Sequence, residues 1–173
     1  MNKLLLILGA MLITSCSNMA KYETKVAHLD LQKFMGKWYV MAGRFTPLEK
    51  EVHNGIESYE YDQENEKIKI SFNYNKGSFK GPVKSLPQTG WVYNKTTNAH
   101  WKVSPIWPLK FDYLVVGLAD DYSWTVIGVP DQSYVWIMTR KYDLSESDLQ
   151  KIIQEMKLKN YNMDNLVFVK HKY

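Results

Sequence analysis

Between Trp38 and Arg140 the chain is cut into short runs rich in aromatic and β-branched residues, separated by turn signals roughly eight to twelve residues apart. That rhythm argues for an antiparallel barrel or sandwich. Strands are predicted near 38–46, 54–62, 67–75, 88–95, 98–105, 111–119, 123–130 and 134–141. Alternation is clear in Lys67-Ile68-Lys69-Ile70-Ser71-Phe72-Asn73-Tyr74 and blurs elsewhere, because some strands are apolar on both faces.

The connections add direction. Asp62-Gln63-Glu64-Asn65-Glu66, Asn94-Lys95-Thr96-Thr97-Asn98 and Asp120-Asp121-Tyr122 are short and polar, whereas 46–53, 76–87 and 105–110 are longer. Successive turns of an up-and-down meander fall at opposite ends, so one end is tight and the other carries the loops. Only Pro130-Asp131-Gln132-Ser133 is short at the loop-rich end. Loops on a rigid scaffold are where recognition usually sits. Leu31 to Met35 is expected to form a helical plug under the tight end, beside Trp38.

One long helix is expected. Ser145-Glu146-Ser147-Asp148 matches a capping box, and Leu144 with Leu149 can staple it. Leu149, Ile152, Ile153 and Met156 recur at helical spacing, and Asn160 offers a left-handed stop. If Trp136 and Met138 point into a barrel, Val135 and Ile137 lie outside, where this helix would cover them. Leu166 to Val169 reads as a last short strand.

Three segments, in order, carry a family resemblance: Gly36-Lys37-Trp38-Tyr39, Phe111-Asp112-Tyr113, and Tyr134-Val135-Trp136-Ile137-Met138-Thr139-Arg140. Together they resemble the lipocalin signature over roughly residues 29–170, most closely that of bacterial lipid-anchored lipocalins of the outer-membrane, apolipoprotein D-like kind. The resemblance implies an all-β fold: an eight-stranded antiparallel up-and-down β-barrel with a C-terminal α-helix and a short final strand. It implies that Gly36, Trp38, Tyr39, Asp112, Tyr113 and Arg140 are structural, with Arg140 covering Trp38. It also implies a carrier of fatty acids, phospholipids or lysophospholipids, active in envelope maintenance or stress. An eight-strand barrel interior is just large enough for one small ligand.

Lys3, an apolar stretch from Leu4 to Ile13, and Ile13-Thr14-Ser15-Cys16 read as a secretion signal. The apolar run is about half the length that a membrane-spanning helix needs. Its ending resembles a lipobox, which makes residues 1–15 a signal peptide and Cys16 the acylated anchor. The alternative is an ordinary signal with an incidental cysteine. Cys16 is the only cysteine, so no disulfide forms within the chain. Residues 16–28 read as a polar tether and 29–173 as the domain. Ser17 favours outer-membrane sorting, facing the periplasm, with the inner membrane and the cell surface left open. Removing the signal takes away Lys3 and lowers the formal charge from +4 to +3.

The lysines are scattered and no nucleic-acid module is recognisable, so nucleic acid is not an expected partner. A homodimer is left open. The inner face is expected to draw on Val40, Ala42, Tyr59, Phe72, Tyr74, Trp91, Tyr93, Trp101, Val103, Tyr113, Val115, Trp124, Val126, Trp136 and Met138, which suits an apolar ligand body. A single bulge near Gly43 would swap the inward set on the first strand. Arg44 and Lys110 are candidates for an anionic head group, against the plainer role of solvated surface charges. Pro105-Ile106-Trp107-Pro108-Leu109 either packs back on the barrel, dips into a bilayer interface, meets a protein or folds over a ligand. No enzymatic activity is expected, since there is no G-x-S-x-G elbow. His28, His53, His100 and His171 lack metal-site spacing, so neither metal nor cofactor is expected. The competing class is a membrane-tethered adaptor with a filled barrel.

Overall fold

A computed structural model describes residues 21–173. Strands β1 (Gly36–Arg44), β2 (Val52–Asp62), β3 (Lys67–Lys76), β4 (Val83–Val92), β5 (His100–Ser104), β6 (Phe111–Leu118), β7 (Trp124–Gly128) and β8 (Val135–Thr139) each pair antiparallel with the next in sequence. β8 then pairs with β1, which closes an eight-stranded up-and-down barrel. A short helix α1 (Leu31–Phe34) precedes it; α2 (Glu146–Leu158) and β9 (Val167–Phe168) follow. The signal segment and Cys16 lie outside the described residues.

Asp30 caps α1 by accepting from the backbone of Gln32 and Lys33, which swings the buried Phe34 under the barrel. Ser145 caps α2 by accepting from Asp148 N at 3.1 Å, and Asn160 ends it at φ 59°. The buried face of α2, Leu149, Ile152, Ile153 and Met156, packs with the outward side chains Leu114, Val116, Val126, Val135 and Ile137. This second core lies outside the wall, and the first fills the barrel.

β4 begins at Val83 rather than at 88, so the connection from β3 is shorter than the sequence suggests. Pro87 disguises this part of the strand. It is tolerated because β4 pairs with β5 only from Thr89 onward, leaving Pro87 opposite Ser71 of β3 and locally at an edge.

Two segments seal the barrel's outside. β1 and β2 pair only over Gly36–Tyr39, and above that β9 pairs with Ala42 and Gly43 while Asn54 N donates to Lys170 O at 3.0 Å. The C-terminal chain thus fills the seam where β1 and β2 part. At the other terminus, Tyr22 N donates to Pro130 O at 2.7 Å and Leu29 N to Thr97 O at 2.7 Å. Residues 22–29 are therefore a strap from the loop-rich end to the tight end and not part of a loose tether, as their polar sequence suggested. Tyr22 packs edge-on against Tyr161 at 4.8 Å. Among the described residues, the side chains of the two buried clusters lie between Tyr22 and Val169, so a chain begun at residue 17 carries all of them.

Candidate functional site: the calyx

The floor is built from aromatic rings. Trp38 is fully buried, donates its indole N–H to Phe34 O at 2.8 Å, and sits 5.1 Å from the Phe34 ring. Trp101 stacks on Tyr113 at 5.3 Å, and the Tyr59 and Tyr113 hydroxyls share a hydrogen bond. Beneath, the Arg140 guanidinium lies 3.7 Å from the Trp38 ring centroid and donates to the carbonyls of Lys37, Lys33 and Phe34. Cation–π attraction and three charge-assisted bonds thus close the tight end.

Above the floor the packing loosens. Trp38, Val40, Trp101 and Met138 have no accessible surface, whereas Val52, Glu49 and Tyr113 keep 9% and Glu57 keeps 6%. The side chains that keep this residual surface include Glu57, on the inner face of β2, and Glu49, on the 45–51 loop. That loop is pinned by Tyr74 Oη donating to Leu48 O at 3.2 Å, and by Thr46 N and Oγ1 donating to Glu49 Oε2 at 3.0 and 2.9 Å.

Glu57 pairs across the sheet with Trp38 on one side and Phe72 on the other, both interior residues, so it points inward. Burial, and then repulsion from Glu49, push its carboxyl up to about 8. Burial also raises Glu49. Neither acid was among the inner residues expected from sequence. The signal was present, because Glu57 is two residues before Tyr59 on one strand and must share its face.

Of the candidates, Val40, Tyr59, Phe72, Tyr74, Trp101, Val103, Tyr113, Val115 and Met138 belong to the interior cluster, with Trp136 half-buried against it. The others do not. The register of β1 slips between Val40 and Ala42, a bulge that sends Ala42 to the helix side. On β7 it is Ile127 that faces inward, so Trp124 and Val126 join the helix-side core. On β4, Gly90 lies opposite the interior residues Ile68 and Val103, which turns Trp91 outward. Tyr93 is exposed, with Lys102 Nζ 5.0 Å from its ring centroid.

The head-group candidates are also placed differently. Arg44 points outward and donates to the carbonyls of Gln132, Ser133, Asn162 and Asp164, latching the β7–β8 turn to the chain after α2. Its guanidinium is committed to backbone. Lys110 stands over Trp91 at 4.4 Å and Trp107 at 5.8 Å, on the outer surface. Asp112 is outward too, paired with His100 and Lys102. Gly36 adopts φ 91° where the chain enters β1, which suits a residue without Cβ, and Tyr39 packs outside against Tyr142 and Tyr173.

The rim around the mouth is apolar. Leu48, Val83, Ile106, Trp107, Leu109 and Phe111 are exposed there, Trp107 by 73%, so this loop does not pack back on the barrel. Lys50, Lys76, Lys80, Lys84 and Lys110 are exposed among them.

A closed calyx with an arginine-covered tryptophan in its floor and a helix along its wall defines a single-calyx barrel of the ligand-binding kind. Residues 29–171 match the model of the lipocalin-like domain family, and the chain belongs to the lipocalins. Similar proteins include outer membrane lipoprotein Blc of Vibrio cholerae, 25% identical over 99% of this chain and 100% of that one. Temperature-induced lipocalin-1 of Arabidopsis thaliana is 26% identical over 82% of this chain and 78% of its own. Among solved structures, the cockroach allergen Per a 4 superposes with a TM-score of 0.63 at 18% identity, covering 89% of this chain and 96% of its own. Insecticyanin of the tobacco hornworm Manduca sexta does so with 0.63 at 15%, covering 86% and 84%.

Proposed function

We propose that this chain is a lipid-anchored lipocalin of the bacterial outer membrane that takes amphiphilic lipids into its calyx and carries them without chemical change. The outer-membrane lipoprotein relatives support this location. The carrying observation is that the mouth, the apolar rim and the start of the strap at Tyr22 share one end of the barrel. The strap reaches Tyr22 beside Pro130, at the loop-rich end. Five residues separate Tyr22 from Cys16, and the six steps at about 3.5 Å each reach no more than about 20 Å. Acylation of Cys16 would then hold the mouth close to the bilayer. The exposed Trp107 loop would enter its interface, and the rim lysines would meet anionic head groups. A fatty acid, phospholipid or lysophospholipid would insert its acyl chain and leave its head group at the rim. Each buried methylene contributes about 0.8 kcal/mol, set against the cost of ordering.

The direct test is lipid mass spectrometry on residues 17–173 purified under native conditions. A stoichiometric lipid supports the carrier. A barrel that comes out empty and takes up neither added lipid nor N-phenyl-1-naphthylamine supports the adaptor. Because Trp91 lies outside, Trp91→Ala is expected to leave dye uptake within about twofold of wild type, whereas Tyr113→Ala alters it, as read by dye fluorescence. Replacing Ile106 and Trp107 together by serine is expected to cut co-sedimentation of the unanchored domain with anionic vesicles at least about fivefold. Unchanged sedimentation would remove the rim from the membrane contact.

A further inference from the structure

The calyx holds two carboxyl groups and, among the described residues, no basic side chain to neutralise them. Lys76 and Lys84 share the inward phase, opposite Val52 and Tyr74, but stand exposed at the rim. Arg140 is committed to three carbonyls below the Trp38 ring. Glu57 is 94% buried by its 6% exposure; its carboxyl enters no ion pair among the described residues, and its hydrogen-bonding neighbour is the Tyr59 hydroxyl. The neighbouring Tyr59 hydroxyl is hydrogen-bonded to Tyr113. Glu49 descends from the roof loop, tied through one oxygen to Thr46, with the Trp136 indole beside it.

An unpaired buried acid is costly to keep ionised, and two that repel each other cost more. Such a pair is relieved by a cation. Trp136 lies beside Glu49, and Tyr74 and Tyr113 lie near the acids; aromatic rings add attraction for a cation. We infer that Glu49 and Glu57 form a cation subsite that takes the ammonium group of an amine-headed amphiphile, head inward, with the apolar body directed toward the mouth.

This rests on the calyx being a binding cavity, as proposed above, and adds to it a ligand class that enters head first. Glu57 retains its proton near neutrality, since burial and Glu49 raise its pKa to about 8. An arriving ammonium displaces that proton to solvent, so binding tightens as pH rises from 6 toward 8. The groups facing Glu57 are Glu49 from the roof loop, Tyr59 on its own strand and Tyr113 on β6. The tyrosines stay neutral throughout this range, because burial raises both further above their ordinary value.

The test is calorimetric titration of residues 17–173 with decylamine, decanol and decanoate, each below its micelle concentration. Decylamine is expected to bind at least about tenfold more tightly than decanol, and decanoate most weakly. Titration in two buffers of different ionisation enthalpy should show proton release with decylamine. The near-isosteric Glu57→Gln is expected to weaken decylamine about tenfold, to abolish that release, and to leave decanol within about twofold. Should Glu57→Gln fail to fold, Glu49→Gln, which keeps an acceptor for Thr46, is expected to weaken decylamine in the same selective way. Decanol binding without a preference for decylamine would overturn the subsite and spare the carrier, as would decylamine affinity indifferent to both substitutions. Binding of none of the three would overturn both.

Discussion

Trp38→Ala is expected to lower the stability of the domain by about 3–5 kcal/mol, the range for emptying a large aromatic site in a core that cannot collapse. Trp38 has no accessible surface and is held on all sides. Phe34 lies against its ring, its indole N–H bonds the Phe34 carbonyl, and the Arg140 guanidinium covers the opposite face. Removing the ring also takes the apolar support from Arg140. Arg140→Met is expected to cost less, about 1–2 kcal/mol, because the guanidinium is partly solvated and methionine retains part of its stem packing. Urea unfolding with an unchanged slope would read both. Equal costs would mean that the floor is held by the arginine and its three carbonyls more than by the indole.

The barrel was legible in the sequence because its signals are local. Turn residues separate the strands, and the serine cap with four apolar residues at helical spacing marks α2. The interior was legible only in part, because facing depends on phase, and phase is reset by bulges that leave no clear mark in residue type. One slip at Met41 exchanges Ala42 for Gly43 on the inner face, and a second between Val115 and Gly117 turns Gly117 to the helix side, beside Met156. Pro87 concealed five residues of β4, Val83 to Pro87, because its tolerance depends on where the neighbouring strand stops. The strap is hidden in the sequence for a related reason. Thr24 and Lys25 are polar, yet a segment anchored by Tyr22 and Leu29 at its ends needs no apolar run between them.

The sequence reading names Arg44 and Lys110 as head-group candidates and neither Glu49 nor Glu57, and a charge on an alternating strand is usually solvated. Arg44 shows how little its charge revealed, since four backbone carbonyls take its donors. Glu57 shows the converse. The polar member of an otherwise aromatic inward row is where chemistry specific to this chain is concentrated.

Glu57→Gln is therefore expected to make the domain more stable at alkaline pH while changing little in acid. The ordinary value is 4.5 and the folded value about 8. Below 4.5 the carboxyl is protonated in both states and costs nothing. Between 4.5 and 8 the unfolded chain releases a proton that the folded chain retains, so stability falls as pH rises. Above 8 both states are ionised and the loss stops growing, at a magnitude on the order of 3–5 kcal/mol. The wild-type curve alone would mislead. His171, half-buried with Nε2 2.9 Å from Val40 O, has a lowered pKa through partial desolvation, so its own contribution rises with pH in the same region. The carboxylates with lowered pKa values, Asp62, Asp112, Asp121, Asp131 and Asp148, act only below this window. The informative quantity is the difference between Glu57→Gln and wild type, from urea midpoints at pH 4, 6 and 8.5. It should be near zero at pH 4 and grow steadily toward pH 8.5. A difference flat across pH would mean that Glu57 ionises as if in water, which would require surroundings wetter than its burial indicates. If the difference grows, saturating decylamine should shrink it at pH 8.5, because a cation lodged between Glu49 and Glu57 removes the penalty that the glutamine variant avoids.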